Sequence, residues 1–244
     1  MRSREPAPAD APSPVAVAFK AVIFDMDGVI VDSEPLHERA FLEVMGEIGY
    51  GDSHGVRWAD YVGRSEYVLW SDFVARHKPR QSFEELLALK RERVLGILRR
   101  EEPVFEGITG LLERLSQVCR LALASGSERP TVETVLSLQN LRRFFPVTVA
   151  AGDVKHGKPE PDIFLRAAAL LDVAPADCWV IEDSKPGIAA GLAAGMRVIA
   201  ITNTHPAEEL RQATRVVSSY AEIEAVLLPN QASPERAASF RASR

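Results

Sequence analysis

The sequence predicts an α/β protein, a doubly wound parallel sheet with an α-helical domain inserted near its start. Three observations carry this. Short apolar runs rich in Val, Ile and Ala alternate with helical stretches from Phe105 onward, and such alternation implies right-handed βαβ crossovers. An earlier run, Ala21 to Phe24, has the same unbroken apolar character, that of a strand buried on both faces. Between them, to about Glu102, the chain is helical and Leu-rich with no convincing strand, which reads as a small bundle interrupting the sheet.

In chain order, the first strand ends in Asp25 and Asp27, and Gly28 permits the close turn that follows. Pro35 suits a first helical turn, and Leu36, Ala40, Phe41, Val44 and Ile48 then share one helical face. Val68, Leu69 and Phe73 mark a second helix, and a longer third runs from Phe83 past Leu98. Gly107 to Gln117 is a helix, Arg120 to Ala124 a strand ending in Ser125-Gly126-Ser127, and Pro130 to Leu138 a helix. A short strand, Val147 to Ala150, follows, and Pro161 opens the helix of Ile163, Phe164, Ala167, Ala168 and Leu171. Cys178 to Ile181 is a buried strand ending in Glu182 and Asp183. The next helix contains Gly187, Ala190, Gly191 and Ala194, small enough to lie close to the sheet, with Gly195 placed as its C-terminal cap. Arg197 to Thr202 and Val216 to Ser219 supply the last strands. The expected organisation is a core of residues 19–32 and 105–228, a helical domain over 33–104, and disordered tails at 1–18 and 229–244.

Composition narrows the function. The chain has 244 residues, 46% apolar and 26% charged, which describes an ordinary globular protein. A net charge of -5 argues against a nucleic-acid binder with a broad basic field. No stretch approaches the length of a membrane span, and the apolar run Val15 to Phe19 is too short for a signal-peptide core. Cys119 and Cys178 have no zinc-type spacing and read as reduced packing residues of a cytoplasmic protein.

Chemistry is concentrated where strands end. Asp25 and Asp27 leave the first strand, Ser125 the second, Lys158 follows the third, and Glu182 with Asp183 leave the fourth. In an open α/β sheet these carboxyl ends are where ligands bind. Like charges about 4 Å apart repel by about 4 kcal/mol at an effective dielectric of 20. Four clustered acids therefore call for a cation, and all-oxygen ligands favour Mg²⁺. A cation, a lysine and a serine hydroxyl together suit a phosphoryl group. Gly152 to Lys158 has the spacing of a nucleotide-binding loop, but Pro159 stands where a hydroxyl ligand is required.

Asp25-Met26-Asp27-Gly28-Val29, Ser125, Lys158-Pro159 and Glu182-Asp183 resemble the four motifs of the haloacid dehalogenase superfamily, in the order of its phosphotransferase branch. The helical insertion is similar to the cap of the β-phosphoglucomutase-like subfamily, on a Rossmann-like core. The resemblance implies that Asp25 attacks phosphorus to form an aspartyl-phosphate and that Asp27 is the general acid and base. It also implies Mg²⁺ held by Asp25, the Asp27 carbonyl, Glu182 and Asp183, with phosphate gripped by Ser125 and the Gly126 N–H and charge offset by Lys158. The second acid, Asp27, argues against carbon–halogen chemistry, because the dehalogenase branch lacks it.

Ser33 and His37 match hinge positions of the sugar-phosphate members, and His37 is expected to couple cap closure to Asp27. Gly63-Arg64-Ser65-Glu66 resembles a cap segment that reaches the active site, as does Lys90. The mutases carry an arginine at the position of Glu66, which leaves Arg64 to substitute from a different angle. The expectation is a monomeric, Mg²⁺-dependent phosphatase of a small phosphorylated metabolite such as a sugar phosphate, without nucleic-acid or membrane partners. The alternative is a β-phosphoglucomutase, an isomerase interconverting β-glucose 1-phosphate and glucose 6-phosphate.

Overall fold

The structure, a computed structural model, describes residues 19–61 and 66–229. Arg64 and the greater part of both expected tails lie outside these residues. Six strands form one sheet: β1 (Ala21–Phe24), β2 (Arg120–Ala124), β3 (Val147–Val149), β4 (Cys178–Glu182), β5 (Arg197–Ile201) and β6 (Arg215–Val217). Every pairing is parallel and the order is β3-β2-β1-β4-β5-β6. The chain winds outward from β1 in one direction and then, from β4, in the other, so the order reverses between β1 and β4. That is the switch point at which open sheets leave a crevice.

Alternation along the central strand sorts the two faces. Val22 and Phe24 point to one side, where α4 (Ile108–Ser116), α5 (Arg129–Ser137) and α8 (Tyr220–Leu227) contribute Leu111, Leu112, Val132, Val135 and Ile223. Ala21 and Ile23 point to the other, against Phe164 of α6 (Asp162–Leu171) and Ile188 of α7 (Lys185–Ala193). Burying a side chain such as Phe24 stabilises by roughly 1.5–3 kcal/mol. Its ring also meets Phe145 edge-on at 6.0 Å. Gly191 lets α7 approach the sheet closely, since a Cβ there would stand 2.7 Å from Val198 Cγ2. Gly195, at φ +75°, ends that helix in the left-handed region.

Residues 33–102 hold a third apolar cluster, apart from those on the two faces of the sheet. Phe41, Val44 and Met45 of α1 (Glu34–Glu47), Leu69, Trp70 and Phe73 of α2 (Glu66–His77) and Leu86 of α3 (Phe83–Glu101) pack together. Ser82 starts α3 with a capping box: its hydroxyl accepts from Glu85 N–H while the Glu85 carboxylate accepts from Ser82 N–H. The segment leaves and rejoins the sheet through a narrow neck. Val31 bridges Val104 antiparallel, Asp32 N–H donates to Pro103 at 2.9 Å, and Phe105 N–H donates to Ile30 at 3.0 Å.

The strands and the first seven helices lie where the sequence patterns place them, within a residue or two. The sequence reading did not assign α8, although Ser219 and Glu222 form an N-cap signal before Ile223 and Leu227. Both cysteines are unpaired by disulfide, as expected. Among the described residues no helix is long and apolar enough to cross a membrane.

Candidate active site

The switch point brings together the acids of β1 and β4. Asp25, Glu182 and Asp183 are buried, and each offers a carboxylate oxygen such that all three lie within 4.8 Å of one another. Asp25 follows Phe24, whose register opposite Ile181 fixes the two strand ends side by side. Lys158, on the loop before α6, donates to Asp25 Oδ1 and to Glu182 Oε1, both at 2.6 Å, with its side chain only 13% exposed.

Glu182 is held firmly. Its Oε2 accepts from Asp183 N–H, Ser184 N–H and Ser184 Oγ at 2.8–2.9 Å. Gly187 makes room for this carboxylate, since a Cβ there would overlap it. Gly28 has the same purpose on the other side. Its φ is +73°, and a Cβ would collide with Asp183 Oδ2 and Thr204 Oγ1.

The electrostatics follow from crowding. Burial, reinforced by Glu182, Asp183 and Asp27 and opposed by Lys158, raises the Asp25 carboxyl well above the usual range. Burial and then Glu182 push Asp183 up to about 7, against the Thr204 hydrogen bond and Lys158. Burial alone would lower the Lys158 ammonium, but Asp25 and Glu182 more than offset it and hold it above its ordinary value.

Asp27 points to hydroxyls. Ser33 Oγ donates to its Oδ1 at 2.6 Å and Ser127 Oγ to its Oδ2 at 2.8 Å, with Ser125 Oγ 3.4 Å from the same oxygen. Ser125 is fully buried and also accepts from Ser127 N–H. Gly126, Lys158 and the acids Asp25, Asp27 and Asp183 line a cavity of about 430 Å³. The loop after β5 closes one wall, with Thr204 donating to Asp183 Oδ2 and Asn203 to the Gly28 carbonyl at 2.8 Å.

Asp25, Asp27, Ser125, Gly126, Lys158, Glu182, Asp183 and Ser33 are thus assembled in one place. His37 and Lys90 are not among the residues lining the cavity; Lys90 Nζ lies 3.2 Å from His37 Nδ1 and over the Trp58 ring. Ser33 supplies a contact from this helical segment to Asp27. Sequence reasoning missed Ser127 and Thr204, lone hydroxyls in loops whose only signal is their position after a strand end.

The chain belongs to the haloacid dehalogenase-like hydrolase family, whose profile matches residues 19–195. Among its relatives, hexitol phosphatase B of Escherichia coli is 33% identical over 199 residues, covering 81% of this chain and 88% of its own. The fructose-1-phosphate phosphatase of Escherichia coli is 34% identical over 185 residues, 74% of this chain and 95% of its own. A putative β-phosphoglucomutase from Thermotoga maritima has a similar structure, with a TM-score of 0.72, 29% identity, and coverage of 86% of this chain and 99% of that one.

Proposed function

We propose that the protein is a Mg²⁺-dependent phosphatase of small phosphorylated carbohydrates that works through an aspartyl-phosphate on Asp25. The observation that carries this reading is the buried meeting of Asp25, Glu182 and Asp183 with Lys158 bonded between two of them. Three carboxylates facing one ammonium leave uncompensated negative charge, and an all-oxygen donor set fits a hard divalent cation. Asp25, Asp183, Glu182 through Oε1 and the Asp27 carbonyl would hold Mg²⁺, which when bound supplies charge neutralisation for phosphate oxygens. The names of the two Escherichia coli relatives support the substrate class.

In the proposed reaction Asp25 attacks phosphorus, its oxygen forming a P–O bond as the bond to the sugar oxygen breaks. Asp27 gives its proton to that departing oxygen. It then takes a proton from water, which attacks phosphorus, releases phosphate and frees Asp25. Ser33 and Ser127 hold Asp27 by one oxygen each, so the acid is oriented before substrate arrives. Ser125, the Gly126 N–H and Lys158 receive the phosphoryl oxygens. The helical segment 33–104 acts as the cap, and Ser33 is the residue through which it meets Asp27 and the cavity.

A panel of sugar and polyol monophosphates, assayed with Mg²⁺ for phosphate release, tests the reading. Turnover is expected for at least one hexose or hexitol phosphate, and Asp25→Asn is expected to abolish it. Efficient conversion of β-glucose 1-phosphate to glucose 6-phosphate with a bisphosphate primer, without comparable free phosphate, would establish the mutase alternative instead.

A further inference from the structure

The loop between β5 and β6 contributes nothing to the four motifs, yet it is bound to the site directly at two points and through Tyr220 at a third. Thr204 Oγ1 donates to Asp183 Oδ2. Asn203 Nδ2 donates to the Gly28 carbonyl at 2.8 Å and to the Tyr220 hydroxyl at 3.1 Å. Tyr220 in turn donates to the Val29 carbonyl at 2.9 Å. The residues beside Thr204 are therefore anchored to the turn that carries Asp27, and Thr204 reaches Asp183 from a fixed base.

We infer that Thr204 is a positioning residue for the cation site, holding the Asp183 carboxylate in the orientation that faces Asp25 and Glu182. This rests on the Mg²⁺ site proposed above. Asp183 lies just beyond the end of β4, where no sheet pairing fixes its side chain. Its carboxylate is confined between Thr204 on one side and the bare backbone of Gly28 on the other, with no space for even a Cβ. One oxygen taken by a hydroxyl donor restricts rotation of the carboxylate and leaves the group directed at its fellow acids. Partners of this kind, which touch a ligand and not the metal, typically change metal affinity by about 10–100-fold when removed. Thr204 itself sits at the exposed rim of the cavity, so its replacement leaves the apolar core untouched.

The test is Mg²⁺ titration of the full chain, stripped by chelator, using calorimetry on the wild type, Thr204→Val and Thr204→Ser. The valine variant is expected to bind Mg²⁺ about 10–100-fold more weakly, while the serine variant, which keeps the hydroxyl, binds like the wild type. Metal-free melting temperatures are expected to match in all three, and phosphatase activity of the valine variant is expected to recover as Mg²⁺ is raised. Should the valine variant melt early, Thr204→Ala removes the same hydroxyl without shape conflict and takes its place in the comparison. Unchanged Mg²⁺ affinity without the hydroxyl, or failure of serine to preserve it, overturns the role of Thr204 and leaves the phosphatase reading standing. A wild-type chain that binds no Mg²⁺ overturns both, and its own titration separates that outcome from the first.

Discussion

Asp27 receives Ser33 on one oxygen and Ser127, with the more distant Ser125, on the other, and this arrangement sets what single substitutions do. A hydrogen bond to a charged group contributes about 1.5–3 kcal/mol, so Ser127→Ala is expected to lower kcat by about ten- to a hundredfold. Single-turnover kinetics with a good substrate checks this. Gly187 belongs to the same scale, because the Glu182 carboxylate occupies the place of its missing side chain. Gly187→Ala is expected to cost about 1–3 kcal/mol, read as a shift in the urea midpoint, and to reduce activity by displacing Glu182 from Lys158. The four acids are legible in the sequence because each stands at or just past the end of an apolar strand, and Lys158 is legible with Pro159 as one of the four motifs. Ser127 and Thr204 are not, because a loop hydroxyl has the same sequence signature whether it meets water or a carboxylate.

Two helices that both follow a serine use it differently. Ser82 caps α3 in a reciprocal box. Ser33 occupies the corresponding position before α1, yet its backbone is helical at φ -93° and ψ -20° and its hydroxyl makes no cap, being given to Asp27. Ser82→Ala is therefore expected to lower stability by about 1 kcal/mol with little change in activity, whereas Ser33→Ala loses activity with little change in stability. Thermal melts and kcat for the pair separate the two uses. The helices themselves were readable from apolar spacing because their packing faces follow it. α8 escaped because only Ile223 and Leu227 of its eight residues are buried, too weak a periodicity beside the strand that precedes it. The seven-residue 3-10 stretch after α5, Leu138–Phe144, was also hidden, since Gln139 and Asn140 bend it through the left-handed region.

At the scale of the whole molecule, the charge gathered at the switch point couples stability to pH. Asp183 is raised to about 7, and Asp25 is raised as well, both first by burial. The folded protein then holds protons more tightly than the unfolded chain. The stabilising contribution is fully present below the unfolded carboxyl value of about 3.9, and it is lost as pH rises through about 7. The metal-free protein is expected to lose this contribution between about pH 4 and 7, with Mg²⁺ restoring stability at the upper end. Melting curves across that range, with and without Mg²⁺, check the sign. The parallel, doubly wound sheet is the most legible feature of all, because uninterrupted apolar runs alternating with helices admit few other windings.

That winding also dictates when the protein becomes safe to its surroundings as it emerges from the ribosome. β1 pairs on one flank with β2, but its other flank waits for β4, which is made only once synthesis passes Cys178. Until then the most apolar strand offers bare peptide groups along one side, a template for joining other unfinished chains. Nascent fragments halted between β3 and β4 are accordingly expected to depend on chaperones for solubility, and those extended past β5 to be released from that dependence.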